Sequence, residues 1–200
     1  VTLPDALPFP LSGASAVWDD VDSVAYVIGG SAPGGEILRF DPSAPSGSRV
    51  TVLPDAFPYS RLHSGVVWDD ARHVAYIFGG SDVGRLDEIV EFNPRRPSGQ
   101  PLVLLGDRLP TGRSSCASLW STAEGVAYIL GGDDSVGRHQ LVRFDPNYPA
   151  GERIDVIATI SDPMSLAIGV FDPVAKLPMF LGGFLSTSEG LDTILTFDWR

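Results

Sequence analysis

The stretch Val67-Trp-Asp-Asp-Ala-Arg-His-Val-Ala-Tyr-Ile-Phe-Gly-Gly80 decides the fold, because the chain contains it four times. The copies are Val17-Trp-Asp-Asp-Val-Asp-Ser-Val-Ala-Tyr-Val-Ile-Gly-Gly30, Leu119-Trp-Ser-Thr-Ala-Glu-Gly-Val-Ala-Tyr-Ile-Leu-Gly-Gly132 and the divergent Val170-Phe-Asp-Pro-Val-Ala-Lys-Leu-Pro-Met-Phe-Leu-Gly-Gly183. Their second glycines stand 50, 52 and 51 residues apart. So regular a period marks a repeat architecture, in which each unit buries its apolar surface against its neighbours.

Working outward, each copy reads as strand, Asp-rich turn, strand. A polar stretch follows each glycine pair, and then a short apolar segment ends in a turn: Ile37-Leu-Arg-Phe-Asp-Pro42, Ile89-Val-Glu-Phe-Asn-Pro94, Leu141-Val-Arg-Phe-Asp-Pro146 and Ile194-Leu-Thr-Phe-Asp-Trp199. A fourth β-rich run precedes the next unit at Arg49-Val-Thr-Val-Leu53, Pro101-Leu-Val-Leu-Leu105 and Arg153-Ile-Asp-Val-Ile157. Each unit therefore holds four strand candidates, labelled a to d, and no segment sustains a helical period.

A repeat near 50 residues with four strands and a Tyr/Met-x-x-Gly-Gly strand ending resembles the Kelch repeat, over nearly the whole chain. The fuller family pattern shows in Arg61-Leu-His-Ser-Gly and Arg113-Ser-Ser-Cys-Ala, whereas units one and four depart from it with Leu11-Ser-Gly-Ala-Ser and Met164-Ser-Leu-Ala-Ile. The resemblance implies an all-β β-propeller of four-stranded antiparallel blades, and the four copies make the expected count four blades, fewer than the six or seven usual in that family. It implies structural roles for the glycine pairs Gly29 and Gly30, Gly79 and Gly80, Gly131 and Gly132, Gly182 and Gly183. It also places an aromatic against each pair, for which Phe40, Phe92, Phe144 and Phe197 are the candidates.

The expected boundaries are one domain over 1–200, with blades at about 11–53, 61–105, 113–157 and 164–198 plus 1–3. Leu3-Pro-Asp-Ala-Leu-Pro8 aligns with Leu53-Pro-Asp-Ala-Phe-Pro58, so Val1 to Leu3 reads as a strand d that completes the last blade and closes the ring. The alternatives are a piece of a larger ring, or two chains completing an eight-bladed one. Small residues suit a narrow axis: Ser12 to Ala16, Ser64-Gly65, Ser114 to Ser118, Ser165 and Ala167.

Composition narrows the function. Two hundred residues, 44% of them hydrophobic, suffice for a core without disulfides or metal. A net charge of −11 repels a phosphate backbone, so nucleic acid is not an expected partner. No apolar run approaches the roughly 18 residues of a membrane span. The expected compartment is open between secreted, with a leader removed ahead of Val1, and cytoplasmic. Cys116 has no cysteine partner in the chain.

In a propeller the d–a and b–c loops share one face, where Kelch-type proteins commonly bind partners. Tyr59, Arg61, Arg108 and Arg113, with Asp5, Asp55 and Asp107, fall on the d–a side; Arg85, Asp133, Asp134, Arg138 and His139 fall on the b–c side. The expected ligand set is Arg61, Arg85, Arg108, Arg113, Arg138, His139 and Tyr59, since guanidinium forks suit a carboxylate or acidic peptide. The competing expectation for each arginine is an intramolecular partner among the neighbouring Asp and Glu.

No cofactor is expected, with calcium in the channel or at Asp133 and Asp134 as the one metal option. The Asp19-Asp20 and Asp69-Asp70 pairs read as turn formers, and Trp18, Trp68 and Trp120 as packing residues. The expected function is a non-catalytic module that presents the loop face to a protein or peptide. The alternatives are a lectin-like binder of small acidic or carbohydrate ligands, or an enzyme, since Kelch propellers include copper oxidases of the galactose oxidase type and sialic acid mutarotases. The expected state is a monomer, with a ring-completing dimer as the other option.

Overall fold

In the computed structural model the described residues are 3–31, 35–133, 139–185 and 189–197. They form fifteen strands and no α-helix, and no helix is long and apolar enough to cross a membrane. Blade 1 is β1 (Ala14–Asp19), β2 (Val24–Gly29), β3 (Glu36–Phe40) and β4 (Val50–Ala56). Blade 2 is β5 (Gly65–Asp69), β6 (Val74–Phe78), β7 (Glu88–Phe92) and β8 (Leu102–Arg108). Blade 3 is β9 (Ala117–Ser121), β10 (Val126–Leu130), β11 (Gln140–Phe144) and β12 (Ile154–Thr159). Blade 4 comprises β13 (Ile168–Asp172), β14 (Leu177–Leu181) and β15 (Ile194–Thr196) among the described residues. Each is an antiparallel meander in sequence order, and together they make a four-bladed β-propeller.

The a–b turns follow from their aspartates. Asp19 Oδ1 accepts the N–H groups of Val21 and Asp22, Asp69 those of Ala71 and Arg72, and Asp172 those of Val174 and Ala175. These are Asx turns, as the acidic pairs suggest. The d strands run past their expected ends, to Ala56 and Arg108, so β4 includes Pro54. An outermost strand tolerates a residue without an N–H, which is why the proline does not end it.

Neighbouring blades are sealed by one core each. Trp68 stacks on Tyr26 at 5.9 Å between blades 1 and 2, and Trp120 on Tyr76 at 6.0 Å between blades 2 and 3. Two strand-c aromatics join these seals: Phe92 meets Tyr26 edge-on, and Phe144 meets Tyr76. Trp18 differs from its two counterparts. It is 43% exposed against 7% for Trp68, because no blade among the described residues lies on that side of blade 1.

The glycine pairs have a specific cause. Gly30 N–H donates to the Arg61 carbonyl at 2.6 Å, Gly80 N–H to the Arg113 carbonyl at 2.8 Å and Gly132 N–H to the Met164 carbonyl at 2.9 Å. The incoming chain of the next blade lies so close that a Cβ on Gly29 or Gly79 would meet that carbonyl oxygen at under 3.0 Å. Both glycines also have positive φ. At the axis, Gly13, His63, Ser115 and Leu166 hold equivalent left-handed positions, with φ of 65°, 55°, 58° and 55°. They are linked by His63 N–H to the Gly13 carbonyl, Ser115 N–H to His63 and Leu166 N–H to Ser115, at 2.7–2.8 Å. A backbone ladder thus steps from blade to blade along the channel.

The strand expected at Val1 to Leu3 falls partly on Val1 and Thr2, outside the described residues; Leu3 belongs to no strand. Asp5 occupies a recurring position. It accepts from Gly47 N–H at 2.6 Å, as Asp55 does from Gly99 at 2.6 Å and Asp107 from Gly151 at 2.8 Å. In the two later cases the aspartate sits at the end of one blade's d strand and caps the c–d turn of the next. These three aspartates are therefore turn caps.

Gly79→Ala is expected to destabilise the chain by about 2–4 kcal/mol, combining left-handed strain with overpacking. Gly47→Ala, at φ 86° with open space around it, should cost only about 1–2 kcal/mol. Urea titrations of the two variants check the difference.

Candidate functional site

The expected ligand residues divide into two groups. Arg61 and Arg113 are 1% and 0% exposed, so neither lies on the loop surface. Each folds back onto the glycine pair of its own blade: Arg61 Nη1 donates to the Gly79 carbonyl at 2.7 Å, and Arg113 Nη1 to the Gly131 carbonyl at 3.2 Å. The second Nη of Arg61 pairs with Glu88, and that of Arg113 donates to Gln140 Oε1 at 2.8 Å. These arginines pin the entry of strand a to strand c, which corrects their expected placement at the mouth.

The remaining candidates lie nearer solvent. Arg85 pairs with Asp133 at 3.3 Å across the b–c loops of blades 2 and 3. His139 Nδ1 lies 3.0 Å from the Ile160 carbonyl, tying a b–c loop to a d–a loop. Arg138 and Asp134 fall outside the described residues. Among the described residues no three His, Cys, Asp or Glu side chains group into a metal-holding set.

What the fold does assemble is a groove of about 300 Å³ between blades 1 and 2, at the outer strands. Its floor and walls are Phe57, Val90, Leu102 and Leu104, with Pro58 and Pro101 at the rim. The polar end is Tyr59, Arg61 and Glu88. Tyr59 Oη donates to Glu88 Oε2 at 2.6 Å, and the Arg61 guanidinium lies over the Phe57 and Tyr59 rings at 5.1 and 5.6 Å. Arg61 Nε is buried and, among the described residues, has no hydrogen-bond partner. Arg108 lies outside this lining, 3.9 Å from both Asp87 and Glu88, and is 42% exposed.

Burial pushes the Glu88 carboxyl upward, but hydrogen bonds from Tyr59 and Arg61 outweigh it and hold the group below the usual glutamate range. Burial, reinforced by the bond to Glu88, raises Tyr59. The acid is thus an ionised anchor for Arg61, and the tyrosine stays a neutral donor. Of the expected ligand set, Tyr59 and Arg61 line this groove, and Arg108 stands next to it beside Glu88. The apolar wall was not foreseen, because Phe57, Leu102 and Leu104 read in sequence as ordinary strand and turn residues.

The fold and this groove define the class, an all-β propeller with a site between blades. No protein-family model matches the chain, and no curated protein sequence matches it. Solved structures do share its fold. The structure of YjhT is 13% identical with a TM-score of 0.73, over 99% of this chain and 72% of that one. A fungal alcohol oxidase of the AA5 family, in complex with copper, is 14% identical with a TM-score of 0.56, over 94% of this chain and 51% of that one. A chain of a nidogen/laminin complex is 15% identical with a TM-score of 0.59, over 93% of this chain and 64% of that one. This chain thus spans about half of the oxidase and under two thirds of the nidogen/laminin chain.

Replacing Glu88 by Gln is expected to cost about 1–3 kcal/mol near neutral pH, since it removes the charge that compensates Arg61. The carboxyl is held below its unfolded value, so its contribution is complete above that value and fades as pH falls through the folded one. Melting curves of wild type and Glu88→Gln should therefore converge on acidification from about pH 7 to about pH 3.

Proposed function

We propose that this chain is a non-catalytic, Kelch-type binding module whose groove between blades 1 and 2 takes an apolar side chain of a protein or peptide. The observation that carries the reading is the juxtaposition of an apolar wall, Val90, Leu102 and Leu104, with the polar end at Tyr59, Arg61 and Glu88, beside which Arg108 stands 3.9 Å from Glu88. A peptide seated there would bury its side chain on the leucines and exchange backbone hydrogen bonds with Tyr59 and Arg108. Asp87 and Glu88 already lie near Arg108, so the apolar wall supplies most of the recognition and the cation sets orientation. The Kelch assignment rests on the repeat period and on the Arg61 and Arg113 entries.

Two further facts support binding over catalysis. Cys116 has its thiol pushed up by burial, the wrong direction for a nucleophile. The chain of similar fold in the nidogen/laminin structure comes, by its description, from a complex. A second reading, a small-molecule site, draws on the groove volume of about 300 Å³, at the lower end of the range for such sites.

Selection from a displayed peptide library tests the first reading. Selected peptides should share an aliphatic or aromatic anchor, and Leu104→Arg and Arg108→Glu should each weaken them at least about tenfold. Both positions are well exposed, so any loss of stability should stay within about 1 kcal/mol, the Arg108 pairs with Asp87 and Glu88 included. Affinities unchanged in both variants would remove the groove as the site. A sugar acid that binds where no peptide is selected would favour the second reading.

A further inference from the structure

The junction between blades 2 and 3 has a blade on either side, and its outer strands enclose a second cavity, of about 190 Å³. Three arginines line it, Arg72, Arg96 and Arg153, with a single carboxylate, Glu91. Val103 and Leu105 of β8, with Pro146, form an apolar side. Residues alternate along a strand, which separates this cavity from the groove between blades 1 and 2. On β8, Leu102 and Leu104 line that groove while Val103 and Leu105 line this cavity, and on β7 Val90 and Glu91 divide in the same way. Arg72 comes from an a–b turn and Arg96 from a c–d turn, so the cavity belongs to the end of the blades opposite the b–c and d–a loops.

The repeat does not demand this cluster. At the junction of blades 1 and 2 the positions of Arg72, Arg96 and Arg153 hold Asp22, Ala44 and Pro101. There the pair across the seam is Asp22 with Arg95, at 3.3 Å. The same two positions between blades 2 and 3 are Arg72 and Asn147, so a neutral amide oxygen meets the cation. Arg153 has a structural duty: its bonds to Asp107 and to the Tyr148 carbonyl repeat those of Arg49 to Asp5 and to the Ala44 carbonyl. Arg72 and Arg96 are additions of this junction. Each guanidinium carries five N–H donors. Arg72 Nη1 donates to Asp69 at 2.7 Å and Arg96 Nη2 to Glu91 at 2.5 Å. Arg96 Nη1 is buried and, among the described residues, has no hydrogen-bond partner, although a buried cationic donor calls for an acceptor. Tyr76 also lines the cavity, and burial, with Glu91 and Asp69 adding to it, pushes its hydroxyl up, so it stays a neutral donor.

We propose that this cavity is a binding site for an oxyanion on a short apolar stem, the chemistry shared by a carboxylate and a phosphate monoester. A guanidinium fork presents paired N–H groups to paired oxygens, and three such forks line one small space. Three cations against one carboxylate give the lining a surplus of positive charge on a chain whose net charge is −11. Val103, Leu105 and Pro146 receive the stem. A volume of about 190 Å³ lies below that of drug-sized sites, which suits a small acid or one acidic side chain. The carboxylates of Asp69, Glu91 and Asp107 orient the arginines and temper their charge, so an affinity of about 1 mM is expected. Arg72 and Arg96 belong to blade 2 and Arg153 to blade 3, so the ligand bridges the junction.

Titration of the 200-residue chain with isobutyrate and with inorganic phosphate, followed by the arginine Nε–H resonances at constant ionic strength in chloride, tests the site. At least one oxyanion should bind with a Kd of about 1 mM and shift the Arg72, Arg96 and Arg153 signals. Arg72→Gln and Arg96→Gln replace side chains 37% and 35% exposed and should each weaken binding at least about tenfold. Arg95→Gln, next in the same turn but outside the lining, should leave the affinity within about twofold. Val103→Asp leaves every arginine in place, puts a like charge beside the ligand on an outer strand, and should also weaken it at least about tenfold. Tighter binding of isobutyrate assigns the site to a carboxylate, and tighter binding of phosphate to a phosphate ester. A capped peptide with one glutamate that displaces isobutyrate identifies an acidic side chain as the source. Failure of both oxyanions to bind below about 10 mM overturns the proposal. So does a loss in Arg95→Gln equal to that in Arg72→Gln, which is what diffuse surface attraction produces.

Discussion

Every blade of this propeller is positioned by the approach of one backbone to another across a glycine pair. The second glycine donates its N–H to the carbonyl of the segment entering the next blade, at 2.6–2.9 Å in the three junctions described. That distance leaves no room for a Cβ at Gly29 or Gly79, and the left-handed backbone there would resist one in any case. Once the entry segment is held this close, the indole of the incoming strand a falls on the tyrosine of the previous strand b. The core between blades then forms around that stack.

The charged residues serve this frame before they serve any ligand. Arg61 and Arg113 satisfy the carbonyls of Gly79 and Gly131, which strand pairing alone would leave buried without a donor. Asp5, Asp55 and Asp107 cap the c–d turns of blades 1, 2 and 3. Blades 1 and 4 enter instead through Leu11 and Met164, so the arginine pins belong to the two central blades alone. The groove between blades 1 and 2 inherits its polar end from one such pin, with Glu88 neutralising Arg61 and Tyr59 completing the triangle. A groove whose polar end is a structural ion pair has those side chains already ordered.

Likeness to YjhT, to a copper-bound oxidase and to a nidogen/laminin chain at 13–15% identity shows how little sequence this architecture requires. What it does require is local: glycines at the close approaches, turn-forming aspartates and small residues at the axis. Function on such a frame resides in the loops and outer strands, which those requirements leave free to vary.

The sequence by itself determined the four-strand unit, its number, the strand order within each blade and the Asx turns. All of these follow from periodicity and turn chemistry within some 50 residues, where chain connectivity limits the possibilities. It also placed the tryptophans and glycines as structural. It could not say that Arg61 and Arg113 turn inward, that Asp55 and Asp107 reach the following blade, or that Phe57, Leu102 and Leu104 form one wall. Each of those depends on which residues some 20–50 positions away share a junction, and the twist of the outer strands sets that. The exposed faces of Trp18 and Ile168 likewise became visible only in three dimensions. A repeat carries the same packing residues whether or not a neighbour covers them.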